Sequence, residues 1–96
     1  MYLQDCVASA NSAKGNGGCY GFDVNIGAVP VQLVDCTASN NTTDELSSST
    51  GSVYGFYFTD TAGARLERCI ADTNYIGLVD GGGNPTGSAY GFFLTG

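Results

Sequence analysis

Ninety-six residues allow one domain at most, with a thin core. Nine acids, three bases (Lys14, Arg65 and Arg68) and no histidine leave a net charge of −6. Three bases are too few for the basic stripe of a nucleic-acid binder or for a polybasic membrane patch, and no apolar run approaches the roughly 18 residues of a membrane-spanning helix. Fifteen glycines do not imply disorder here, because 43% of the residues are hydrophobic, including six tyrosines and five phenylalanines.

The chain opens on "MYLQDCVASAN". Met1 and Leu3 share one face of a short strand by two-residue alternation, and Cys6 and Ala8 form the next inward pair after a bend at Asp5. Asn11 closes the segment as a turn residue, either left-handed or lending its amide to a ladder. "GGCYGF" follows from Gly17 and leads into a strand on which Phe22, Val24 and Ile26 alternate. The order then repeats. "VQLVDCTASNN" places Val31, Leu33, Cys36 and Ala38 inward, Asp35 at the bend and Asn41 at the turn; "GSVYGF" from Gly51 opens a strand with Tyr54, Phe56 and Phe58 on one face. In the third round "ARLERCIADTN" supplies Ala64, Leu66, Cys69 and Ala71, with Arg68 at the bend and Asn74 at the turn. "GSAYGF" from Gly87 opens a strand bearing Tyr90, Phe92 and Leu94. Gly21, Gly55 and Gly91 fall on the opposite face, where a missing Cβ permits a tight bend or close backbone approach. β-Branched residues, aromatics and glycine turns dominate, so the chain reads as all-β.

Leu3, Leu33 and Leu66 recur at intervals of 30 and 33, a period that marks a solenoid, propeller or array. From the motif Phe to the next motif Leu ten and nine residues intervene, whereas from the motif Asn to the next motif Gly the gaps are five, nine and twelve. One near-constant junction and one growing junction fit a stacked coil with insertions on one side. Each repeat offers two or three short strands, too few for a propeller blade. The expected architecture is therefore a parallel β-helix of about three coils, approximately 1–28, 29–62 and 63–96, in a single solenoid domain. The segments "NTTDELSSST" (41–50) and "YIGLVDGGGNPTG" (75–87) read as loops at the growing junction.

The repeated "L-x-D-C-x-A-x-x-N" and "YGF" strings resemble right-handed parallel β-helix repeats of the pectin-lyase-like superfamily, over nearly the whole chain. The resemblance implies a fold more than an activity, since that superfamily spans lyases, hydrolases, tailspikes and adhesins. It also implies an extracellular, cell-surface or virion-surface setting. A lyase reading would make Asp5 and Asp35 a calcium site and Arg68 the proton-abstracting base.

The residues themselves give a plainer account. Like must stack on like: Leu3, Leu33 and Leu66; Cys6, Cys36 and Cys69; Asn11, Asn41 and Asn74; and Phe22, Phe56 and Phe92 are structural ladders. No histidine and no C-x-x-C spacing exist, so no metal or other cofactor is implied. Cys6, Cys36 and Cys69 read as buried small hydrophobes, and Cys19, outside that position, as a packing residue or, if exposed, a reactive thiol. Asp5, Asp35 and Arg68 share a repeat position, which marks an ion-pair ladder. Tyr57 joins them as a candidate glycan contact, with Tyr2 and Tyr75 as further candidates, the alternative reading being a fragment of a polysaccharide lyase or hydrolase or a glycan-binding β-helix. The favoured expectation is a non-enzymatic structural or interaction module. The chain starts on one strand and stops after another, so its partners are expected to be adjacent coils of a longer chain or copies of itself, head to tail.

Overall fold

The computed structural model describes residues 1–14, 18–25, 27, 29–45, 51–59, 63–78 and 87–95. Among these every regular element is a β-strand, and the strands fall into three successive repeats. The first holds β1 (Tyr2–Gln4), β2 (Val7–Ser9), β3 (Ser12–Lys14) and β4 (Cys19–Val24). The second holds β5 (Val31–Val34), β6 (Thr37–Ser39), β7 (Thr42–Glu45) and β8 (Val53–Thr59), and the third β9 (Ala64–Glu67), β10 (Ile70–Asp72), β11 (Tyr75–Leu78) and β12 (Ala89–Thr95). Equivalent strands pair into four three-stranded parallel sheets, here A (β1-β5-β9), B (β2-β6-β10), C (β3-β7-β11) and D (β4-β8-β12).

The register follows the sequence repeat residue for residue. Leu3, Leu33 and Leu66 are partners in sheet A, Ala8, Ala38 and Ala71 in sheet B, and Phe22, Phe56 and Phe92 in sheet D. Each repeat has four strands where the sequence suggests two or three. The additional sheet C takes in Thr42–Glu45 and Tyr75–Leu78, the first parts of both segments read as loops. These strands lack apolar alternation. Ladder bonds define them instead, with Thr42 N–H donating to the Asn11 carbonyl and Tyr75 N–H to the Asn41 carbonyl, each at 2.9 Å. Residues 46–50 and 79–86 of those segments, and Ile26, lie outside the described residues.

Two left-handed residues turn the chain in every repeat. Asp5, Asp35 and Arg68 (φ 54°, 54° and 51°) join sheet A to sheet B, and Ala10, Asn40 and Thr73 (φ 57°, 54° and 52°) join B to C. A left-handed non-glycine residue costs about 1–2 kcal/mol, less for Asp and Asn. Two of the three first-corner amides are used in the ladder: Asp5 N–H donates to the Val34 carbonyl at 3.0 Å and Asp35 N–H to the Glu67 carbonyl at 2.9 Å. The left-handed residue at the second corner is thus the one before Asn11, Asn41 and Asn74, which frees those side chains to point inward.

The core belongs mainly to the middle repeat, joined by Val24 of the first. Val31, Leu33, Cys36, Ala38, Phe56 and Phe58 are buried together, and Leu3, Cys6, Phe22, Leu66, Cys69 and Ala71 pack against them from both sides. The Phe22, Phe56 and Phe92 rings stack at 5.0 Å and within 4° of parallel. Phe56 is fully buried, whereas Phe92, with a neighbour on one side, is 45% exposed. One buried position is poorly matched: the Thr43 hydroxyl has no hydrogen-bond partner.

Sheet D departs from simple alternation. Val53 and Gly55 are buried and Tyr54 is not; then Phe56 and Phe58 are buried and Tyr57 is not. The parity breaks between Gly55 and Phe56, so Tyr54 and Tyr90 stand outside rather than beside Phe56 and Phe92. The glycines, expected on the far face, point inward. A Cβ on Gly21 would stand 2.6 Å from the Gly55 carbonyl oxygen and 2.8 Å from the Ala38 methyl, and one on Gly55 would stand 2.6 Å from the Gly91 oxygen. A Cβ on Gly91 would meet the Ala71 methyl at 3.3 Å and nothing closer.

Phe56→Ala is expected to cost about 3–5 kcal/mol, enough to abolish cooperative unfolding in urea for so small a domain. Gly55→Ala is expected to lower stability by about 1–3 kcal/mol through forced backbone displacement, while Gly91→Ala stays close to wild type in the same denaturation experiment.

Candidate functional site

Three lines of side chains run across the repeats and carry the polar and aromatic chemistry of the chain. The first is the column of corner residues Asp5, Asp35 and Arg68. The Arg68 guanidinium grips Asp35 with two bonds, Nε to Oδ1 at 2.6 Å and Nη2 to Oδ2 at 2.9 Å, and Nη1 reaches Glu67 Oε1 at 2.6 Å. Glu67 also accepts from Arg65 at 3.3 Å. Asp5 occupies the same corner of the first repeat, and the described residues give its carboxylate no such partner.

These contacts set the protonation states. Hydrogen bonds from Arg68 pull the Asp35 carboxyl below its ordinary value, partial desolvation works against them, and the Arg68 charge adds to the pull. The Asp35 hydrogen bonds and charge push the Arg68 pKa further up. Arg68 is therefore held protonated, the opposite of what a proton-abstracting base requires. The column is an ion pair with one carboxylate to spare.

The second line is the asparagine ladder. Asn11 Nδ2 donates to Asn41 Oδ1 at 2.8 Å, and Asn41 Nδ2 to Asn74 Oδ1 at 2.7 Å. The same oxygens accept the Asn11 and Asn41 backbone N–H groups at 3.3 and 3.2 Å, which fixes the orientation of each amide. The second hydrogen of each inner amide goes to sheet B: Asn41 Nδ2 donates to the Ala8 carbonyl and Asn74 Nδ2 to the Ala38 carbonyl. Asn41 is thereby fully buried with its polar atoms satisfied.

The third line lies on the outer face of sheet D. Tyr20, Tyr54 and Tyr90 stack at 5.1 and 5.2 Å, and beside them Tyr57 stacks on Phe93 at 5.2 Å. The two columns meet edge to face, Tyr54 to Tyr57 at 4.7 Å and Tyr90 to Phe93 at 5.2 Å. In the first repeat Asp23 takes the place of Tyr57. Mutual stacking covers the ring faces on which a sugar would lie and leaves mainly edges outward.

The structure does not bring the candidate binding residues together. Asp5, Asp35 and Arg68 stand at the corner between sheets A and B, and Tyr57 stands on the outside of sheet D. Tyr57 instead packs against Tyr20, Tyr54 and Phe93. The sequence hides this grouping because "YGF" reads as unbroken alternation, and the glycine inside the motif is the one sign that the parity breaks there.

The cysteines are free thiols. Cys36 is fully buried, with its Sγ against the Val34 carbonyl at 3.4 Å, and Cys6 and Cys69 flank it in the half-buried outer repeats. Cys19, on β4, is also buried; desolvation pushes its pKa up against a bond from the Thr42 backbone. It is therefore a poor nucleophile. Among the described residues no three His, Cys, Asp or Glu side chains cluster as a metal site would require. A shallow cleft of about 330 Å³ lies along sheet A, bordered by Met1, Tyr2, Pro30, Gln32 and Arg65. Compared with family models, curated proteins and solved structures, the chain matches none.

The Asp35–Arg68 pair predicts an acid-labile contribution to stability. Because the folded carboxyl is held below its ordinary value of 3.8, its contribution is complete above that pH and is lost as pH falls through the folded value. Urea unfolding of wild type and Asp35→Asn across that range checks this: the two curves are expected to converge in acid and separate towards neutrality, by less in high salt.

Proposed function

We propose that the chain forms a three-coil β-solenoid of the kind built by the pectin-lyase-like superfamily, and that it serves as a non-enzymatic structural module. In this reading its two ends take up further parallel strands, so that modules or neighbouring coils stack into a fibre, filament or surface scaffold. The observation that carries the reading is the repetition of each column in register, with β1–β4 and β9–β12 hydrogen-bonded, among the described residues, along one edge only. Such edges template the addition of more strands. On these same strands Phe92 and Leu94 are 45% and 53% exposed although their middle-repeat partners Phe56 and Phe58 are fully buried. A protonated Arg68 clamped on Asp35 supports a structural rather than a catalytic corner.

One observation favours a second reading, passive glycan contact: Tyr20 ends its column and is 37% exposed. Loss of glycan-array binding on Tyr57→Ala would support that reading, and binding unchanged by the substitution would not.

Sedimentation velocity of the 96-residue chain across a concentration series tests the stacking reading. Average mass is expected to rise with concentration up to tens of micromolar. A monodisperse monomer throughout would overturn it.

A further inference from the structure

We infer that the partner of each end is a second copy of this chain, seated head to tail in a single register. The third repeat of one copy lies on the first repeat of the next. This rests on the stacking reading above and adds to it the identity, direction and contacts of the partner.

Three independent features of the two ends match one another. The first is the asparagine ladder, which has a direction. Amide nitrogen donates to amide oxygen from the first repeat to the second and from the second to the third. Among the described residues the ladder therefore ends in an Asn11 Oδ1 that accepts nothing, and in an Asn74 backbone N–H and an Nδ2 hydrogen with no ladder acceptor beyond them. A donor at the tail and an acceptor at the head complete one bond set when tail meets head.

The second is charge. Along the corner the column reads Asp5, Asp35, Arg68, so the next residue in a head-to-tail stack is the Asp5 of the following copy. Arg68 has committed three N–H donors, two to Asp35 and one to Glu67. A guanidinium carries five. The unpaired carboxylate of one end thus meets the spare donors of the other.

The third is Gly91. Gly21 and Gly55 are required because the next repeat brings a carbonyl oxygen to within 2.6 Å of where a Cβ would sit. Inside one chain Gly91 meets no such oxygen; its nearest neighbour is the Ala71 methyl at 3.3 Å, relieved by a small shift. The motif nevertheless keeps glycine there. A following copy supplies the missing constraint, placing the Gly21 oxygen over Gly91 as Gly55 stands over Gly21. The apolar columns agree with the same register: Leu66 meets Leu3, Ala71 meets Ala8, and Phe92 meets Phe22.

The contact is heterologous and does not close, so it extends. Two substitutions block it from opposite ends without touching the interior hydrogen bonds. Gly91→Ala places a methyl at the tail where the next copy's backbone would lie. Val7→Pro blocks the head: Thr37 N–H bonds the Cys6 carbonyl and Ala10 N–H bonds the Ser39 carbonyl, so alternation turns the Val7 peptide groups to the open edge. Proline is tolerated on such an edge.

The experiment is sedimentation equilibrium of wild type, each variant, and their equimolar mixture, with circular dichroism to confirm folding. Each variant alone is expected to associate at least about tenfold more weakly than wild type, while the mixture forms a 1:1 heterodimer and nothing larger. Should Val7→Pro not fold, Asp5→Arg takes its place, since the introduced guanidinium can pair with Asp35 within the chain but faces Arg68 of the preceding copy. In that case Arg68→Asp in the same chain restores the pairing and the association. A wild type that associates while either capped variant still polymerises, or while the mixture stays monomeric, overturns the head-to-tail register and leaves stacking itself standing. A wild type that never associates overturns the stacking reading first.

Discussion

Parallel hydrogen bonds run in register from repeat to repeat, and this single constraint decides what each position will accept. A residue in the middle repeat has its own counterpart about 4.8 Å above and below it. Leucine on leucine and phenylalanine on phenylalanine satisfy that spacing without a change of rotamer, and the Phe rings show it by stacking at 5.0 Å. Asparagine is admitted to the interior because an amide both donates and accepts, so a column of amides satisfies itself. Threonine at position 43 has no like neighbour, being partnered by Ala13 and Ile76, and its buried hydroxyl is left without a bond.

Charge meets the same constraint differently. A column of three carboxylates would repel along its length. Arg68 in the third repeat breaks that repulsion, and its bidentate hold on Asp35 pins the corner between sheets A and B. The corner backbone is already unfavourable, since arginine gains nothing from a left-handed conformation. The ladder bond from Asp35 N–H to the Glu67 carbonyl and the ion pair together hold it.

Much of this architecture was legible in the sequence because the constraint writes itself there as repetition. The partners Leu3, Leu33 and Leu66, the bend at Asp35 and the stacked phenylalanines could be read from spacing alone. What escaped was what repetition does not encode as hydrophobic alternation. Sheet C is built from "SAK", "TTDE" and "YIGL", which share no pattern, and its strands exist because their backbones continue the ladder below the asparagine corner. The outer aromatic columns were hidden by a parity break at Gly55, where close packing on Gly91 and Ala71 leaves no room for a Cβ. The left-handed corner fell one residue early for a related reason: Asn41 is needed inside, so Asn40 makes the turn.

Burial is distributed very unevenly among the repeats. Among the described residues the buried apolar side chains belong mainly to the second repeat, with Cys19 and Val24 in the first. The third repeat repeats the core pattern at Leu66, Ala71 and Phe92 without burying it. Among the described residues its apolar surface is packed from one side, and covering the other side would be stabilising. The direction of the cover is constrained as well. Two heads brought together would set Asn11 Oδ1 against its own copy and Asp5 against Asp5; two tails would set Arg68 against Arg68 and donor against donor. Unlike ends, as proposed above, would complete the amide ladder, neutralise the corner column and continue every apolar column at once. On that proposal the asymmetry that gives the ladder a direction would also select the partner.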